Sequence, residues 1–124
     1  MDKYLLVLLG GAVGSLARYA AGSAIMNRYY GRYPLGTVVV NVTGCFLIGV
    51  MMTLLTGKGE SHSNWRLLVV VGFLGGFTTF SSFVYETYLL ARDGNAGMGL
   101  MNVVSSVVLG YLAVWLGVFC AGRR

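Results

Sequence analysis

Charge is scarce in this chain. Of 124 residues, 9 are Lys or Arg and 4 are Asp or Glu, so only 10% are charged, against about 25% in ordinary soluble domains. So few charges could hardly coat a soluble globule, and a disordered chain would need more of them. A single proline excludes collagen-like and Pro-rich repeats. The only histidine, His62, lies in a polar stretch, so no His-based metal site is available. The two cysteines make no oxidised framework. Cys45 sits in an apolar run and Cys120 near the C-terminus, and both read as small apolar residues.

Apolar residues make up 56% of the chain, with 19 glycines and a mean hydropathy of +0.74. This points to a small integral membrane protein. A spanning helix takes about 20 residues, so four spans with short loops use the whole length and leave no room for a soluble catalytic domain. No nucleophile–base pair, phosphate loop or catalytic His can be assembled, so no enzyme is expected. A net charge of +5 could suggest nucleic acid. The basic residues, however, are scattered at the ends of apolar runs, where membrane proteins keep them. The expected partner is the lipid bilayer, and not nucleic acid.

The expected architecture is one all-α membrane domain, residues 1–124, with four transmembrane helices at about 4–26, 35–56, 67–91 and 98–121. The first is read as a retained helix. Asp2 spoils the basic start of a signal peptide, and Arg18 comes before any small-residue cleavage site. Asn27 to Tyr33, with two Arg and three Tyr, has an interfacial composition. Pro34 and Gly36 open the second segment. Gly57 to Asn64 reads as an aqueous loop, Trp65 and Arg66 as the return to the interface, and Arg92 to Asn95 as a tight turn.

Four spans put both termini on one side. Lys3, Lys58, Arg66, Arg123 and Arg124 fall there, against Arg28, Arg32 and Arg92 opposite, or four with Arg18. Such a weak bias would allow insertion in both orientations; the alternative is one orientation set by small differences. A four-helix chain this short encloses little space, so a polar pathway through it is easier to build from two copies. The pairs Gly10/Gly14 and Gly72/Gly76 would allow close backbone approach between helices.

The third segment is the odd one. Its centre, Gly75-Gly76-Phe77-Thr78-Thr79-Phe80-Ser81-Ser82-Phe83, is rich in weak helix formers. We read a helix broken near mid-membrane, whose freed carbonyls could coordinate a cation and whose N–H groups could face an anion. The alternative is a continuous Gly-rich helix packed tightly on its neighbours. Phe80 and Phe83 share a helical face, and the positive edge of an aromatic ring can meet a small anion without holding it tightly. Asn41 in the second segment, with Thr78, Thr79, Ser81, Ser82, Asn102, Ser105 and Ser106, supplies neutral donors for a polar track, or else for hydrogen bonds between helices. Two ionisable residues, Arg18 and Glu86, fall late in the first and third spans. We expect them to pair with each other or to face a water-filled vestibule, unless each reaches the nearby interface.

These residues resemble the Fluc (CrcB-type) fluoride channels across essentially the whole chain. The likeness is carried by Gly10, Gly11, Gly14 and Arg18; by Pro34, Gly36, Thr37, Val40, Asn41 and Gly44; by the GGFTTFSSF run with Glu86; and by Asn102, Ser106 and Gly110. The resemblance implies an antiparallel, dual-topology homodimer in the cell's inner (plasma) membrane, with two fluoride pores that export cytoplasmic fluoride passively. It implies a structural Na+ at the dimer centre, held by the backbone carbonyls of Gly75 and Thr78. It implies that Asn41, Phe80, Phe83, Thr79, Ser81 and Ser106 line the fluoride path. Asn102 stands on that path where some members carry Tyr. A proton-coupled small multidrug transporter would share the size and dual topology, but it needs a deeply buried carboxylate, and Glu86 is the only acid within a span. A non-conducting structural subunit would pass no ion at all.

Overall fold

The computed structural model describes residues 2–56 and 59–123; Met1, Gly57, Lys58 and Arg124, two of which enter the charge count above, lie outside the described residues. The elements among the described residues are all helical: α1 (Lys3–Arg28), α2 (Leu35–Leu54), α3 (Glu60–Trp65), a π-helical segment (Arg66–Leu74), α4 (Gly75–Phe77), α5 (Phe80–Arg92) and α6 (Ala96–Gly122). Among the described residues, four helical runs are long and apolar enough to cross a bilayer: Lys3–Arg28, Leu35–Leu54, Ser61–Arg92 and Ala96–Gly122. The protein is accordingly read as a multi-pass membrane protein.

Sequence and local structure agree at the start of α1 and the end of α5. The Asp2 carboxylate accepts the Tyr4 N–H at 3.0 Å and caps α1. The turn into α6 uses Gly94 at φ +83°, a conformation that favours glycine. One stretch differs from expectation. The polar residues after Gly59 have the composition of a loop, yet Glu60–Trp65 is helical and runs unbroken into the π-helical segment. A polar helix end that projects beyond the apolar span gives no hydropathy signal.

The largest interfaces are α2 on α6 and α1 on the π-helical segment. Both rest on glycine. A Cβ on Gly10 would lie 3.1 Å from Gly72 Cα and would strike the Leu68 carbonyl, and one on Gly76 would lie 2.6 Å from the Gly11 carbonyl. The two glycine pairs singled out for helix approach thus face each other within one chain. On α6, a Cβ on Gly117 would lie 3.2 Å from Gly49 Cα. With lipid as apolar as leucine, such backbone contact and van der Waals packing hold membrane helices together. Many large apolar residues are exposed, among them Leu8, Leu16, Leu100, Tyr111 and Trp115. That pattern suits a lipid-facing surface.

Candidate functional site

Between α4 and α5 the backbone leaves the helix. Thr78 (φ −87°, ψ 156°) and Thr79 (φ −146°, ψ 118°) are extended. Helical hydrogen bonds are lost there, and three side chains, those of Asn41, Thr79 and Arg18, take over some of the stranded groups. Asn41 on α2 spends its amide on Thr79: Nδ2 donates to the Thr79 carbonyl at 2.9 Å, and Oδ1 accepts the Thr79 N–H at 2.7 Å. A backbone N–H only donates and a carbonyl only accepts, so the orientation of the amide is fixed. Nδ2 has a second N–H beyond this pair. Thr79 Oγ accepts the Ser82 N–H at 3.3 Å and caps α5. Arg18 Nε on α1 donates to the Gly76 carbonyl at 3.0 Å.

The diversion of donors exposes particular carbonyls. In a continuous helix the Thr79 N–H would serve Gly75 and the Ser82 N–H would serve Thr78. Here both donate to side chains instead. The carbonyls of Gly75 and Thr78 therefore lose their helical partners. Thr78 Oγ donates to the Leu74 carbonyl at 2.9 Å, so the hydroxyl turns back on its own helix. At Gly75 an added Cβ would meet nothing within 4 Å.

Two cavities meet at Thr79. One, of about 310 Å³, is lined by Asn41, Gly75, Thr78, Thr79 and Phe80, with Gly44, Cys45 and apolar neighbours. The other, of about 340 Å³, is lined by Arg18, Ser23, Thr37, Thr79, Ser82 and Glu86 among others. The end of α4 presents carbonyls, the negative pole of a helix, whereas the start of α5 presents N–H groups, the positive pole. One short stretch thus offers a cation-compatible and an anion-compatible face.

The aromatic pair is split. The Phe80 and Phe83 rings have centroids 5.8 Å apart and planes 51° from parallel. Phe80 is 77% exposed in the single chain, and Phe83 is 9% exposed. Ser81 is exposed.

Arg18 and Glu86 share the 340 Å³ cavity without bonding to each other; among the described residues the one ion pair is Arg92–Asp93. Of the two expectations for them, direct pairing is the one this arrangement lacks. Arg18 reaches a backbone carbonyl, and Glu86 Oε1 accepts from Thr37 Oγ at 2.8 Å. Glu86 also lines a larger cavity of about 840 Å³ with Arg32, Asp93 and Asn95.

Asn102 and Ser106 join a different group from Asn41 and Thr79. Asn102 is completely buried where α6 crosses α5. Its Nδ2 donates to Thr87 Oγ at 2.9 Å, and its Oδ1 accepts from Ser106 at 3.4 Å. Nearby, the Tyr33 hydroxyl bonds to Ser105. Sequence reasoning does not single out Thr37, Thr87 or Tyr33 for these bonds. A lone Thr in an apolar run is too common to mark, and only the fold supplies its partner.

Comparison with known proteins adds independent information. A family model described as "CrcB-like protein, Camphor Resistance (CrcB)" matches residues 5–118. A protein of Solibacter usitatus (strain Ellin6076) named "Fluoride-specific ion channel FluC" is 60% identical, over 98% of this chain and 99% of its own length. Proteins of the same name are 49% identical in Acidobacterium capsulatum (98% and 97% covered) and 44% identical in Thermus thermophilus (94% and 93% covered).

Proposed function

This chain belongs to the CrcB-like protein family, and from that premise we propose that it is a fluoride-selective channel that lets cytoplasmic fluoride leave passively across the inner (plasma) membrane. The relatives named above are ion channels, a non-enzymatic activity. The observation that carries the reading is the extended pair Thr78–Thr79. Its stranded backbone groups are answered by an uncharged amide and a hydroxyl, with an exposed phenylalanine beside them.

Fluoride is small and strongly hydrated, so a selective path must replace its water with several close donors. A fixed positive charge at the narrowest point would hold the ion too well for conduction. The second N–H of Asn41, hydroxyls such as Ser81, and the edges of Phe80 and Phe83 meet the first need without the second fault. Arg18 lies in the neighbouring cavity instead. There it raises the local potential for an entering anion, while its bond to Gly76 offsets part of the cost of about 2.5–3.5 kcal/mol for a charge within the span.

The working unit in this reading is an antiparallel homodimer. The open space beside Gly75 and the exposed ring of Phe80 support a second copy meeting the chain at this point. A structural Na+ suits the carbonyls of Gly75 and Thr78, whose helical donors are diverted and whose hard oxygens match a hard cation. Such an ion would supply fixed positive charge between the copies.

Purified protein in liposomes, with voltage set by potassium and valinomycin, tests the reading. Fluoride efflux that is voltage-driven, independent of a pH gradient and far faster than chloride efflux is expected. Equal passage of chloride, or flux that requires a proton gradient, would overturn it.

A further inference from the structure

The crossing of α5 and α6 contains a part-buried polar chain, centred on the buried Asn102, that the proposed path does not use. Thr87 donates its only hydroxyl proton to the Phe83 carbonyl at 2.8 Å. Its oxygen then has only acceptor capacity left, and Asn102 Nδ2 fills it at 2.9 Å. The donor directions are therefore consistent from α6 to the backbone of Phe83. Gly99, one turn before Asn102, allows the approach: a Cβ there would lie 3.3 Å from the Thr87 carbonyl. Leu90 and Asn102 are both buried at this crossing and Thr87 is half-buried, so the amide itself is shielded from water.

We propose that Asn102 is a positioning residue which, through Thr87, holds the α5 backbone at Phe83 and so fixes where that ring stands beside the permeating halide. It does so from inside the α5–α6 interface, without touching the ion. The inference rests on the channel reading, and wild-type efflux checks that reading by itself.

The test measures fluoride and chloride efflux from liposomes for Thr87→Val, Asn102→Leu, the double variant and Thr87→Ser. Deuterium uptake at the amides of Phe80–Thr87 is followed alongside. Each of the first two should slow fluoride by roughly five- to tenfold and lower the fluoride-to-chloride ratio. The double variant should be no slower than the worse single, and Thr87→Ser should restore wild-type behaviour. Amide exchange at Phe83 and Thr87 should quicken in both singles. Wild-type flux in Thr87→Val beside lost flux in Asn102→Leu would mean that Asn102 meets the ion itself, and would overturn the proposal. Losses that multiply in the double variant, or reduced folded yield with unchanged selectivity, would also overturn it. Should Asn102→Leu fail to fold, Asn102→Ser removes the amide at lower packing cost and takes its place under the same criteria. If wild-type protein passes no fluoride, the channel reading falls, and the exchange data alone decide whether Asn102 steadies Phe83.

Discussion

On the side of α2 that meets α6, Gly49 and Gly117 bring two backbones into van der Waals contact. On the side that meets Thr78 and Thr79, Asn41 forms two hydrogen bonds and Thr37 a third, and cavities lie alongside. One side is closed and apolar, the other open and polar. In lipid the apolar side gains cohesion from close fit, because there is no hydrophobic drive between helices. The polar side cannot close in the same way. Its backbone groups must be answered one by one, and each answer leaves room where a small ion could pass.

This contrast can be broken from either side. The largest effect is expected from Asn41→Leu, which keeps the branching at Cγ but strands the Thr79 N–H and carbonyl. Each stranded group costs about 1–3 kcal/mol. Fluoride efflux should stop, and unfolding in mixed micelles should occur at much lower denaturant. Gly117→Leu should come next, destabilising by about 1–3 kcal/mol or more through overpacking. Its efflux per folded protein should stay near wild type, and loss of efflux in the folded fraction would erase the division between the two sides. Phe80→Ile and Phe83→Ile should leave the elution volume in size-exclusion chromatography unchanged. Either should slow fluoride by roughly tenfold or more, about 1.4 kcal/mol at the barrier; wild-type rates in both would remove the rings from the path. The smallest change belongs to Arg92→Ala. Its ion pair with Asp93 is more than half exposed, so stability should move by no more than about 0.5 kcal/mol and efflux not at all.

Much of the polar side is legible without the fold. Glycine, threonine and serine crowded into an apolar span mark a place where the helix is weak, and Asn41 is conspicuous because a primary amide in lipid needs a partner. The partners themselves are not legible. Arg18 binds the Gly76 carbonyl, and every residue carries a carbonyl, so side-chain identity holds no hint of that bond. Charge complementarity suggests Glu86 instead, which takes its hydrogen bond from Thr37. Chemistry alone groups Asn102 with the ion path. Its direction depends on the crossing of α5 and α6, which Gly99 permits but a lone glycine does not announce. The spacing of the glycine pairs marks them as contact points, though periodicity cannot say that their partners lie in the same chain.

Asn41 and Arg18 both precede Thr79 in the chain. A ribosome releases the amide and the guanidinium well before the two threonines that need them. When the unwound stretch leaves the insertion machinery, the groups that stitch it are already in the bilayer. The order of synthesis thus spares the nascent third span a spell of bare peptide in hydrocarbon. A circular permutant that delivered α5 ahead of α2 would forfeit that protection.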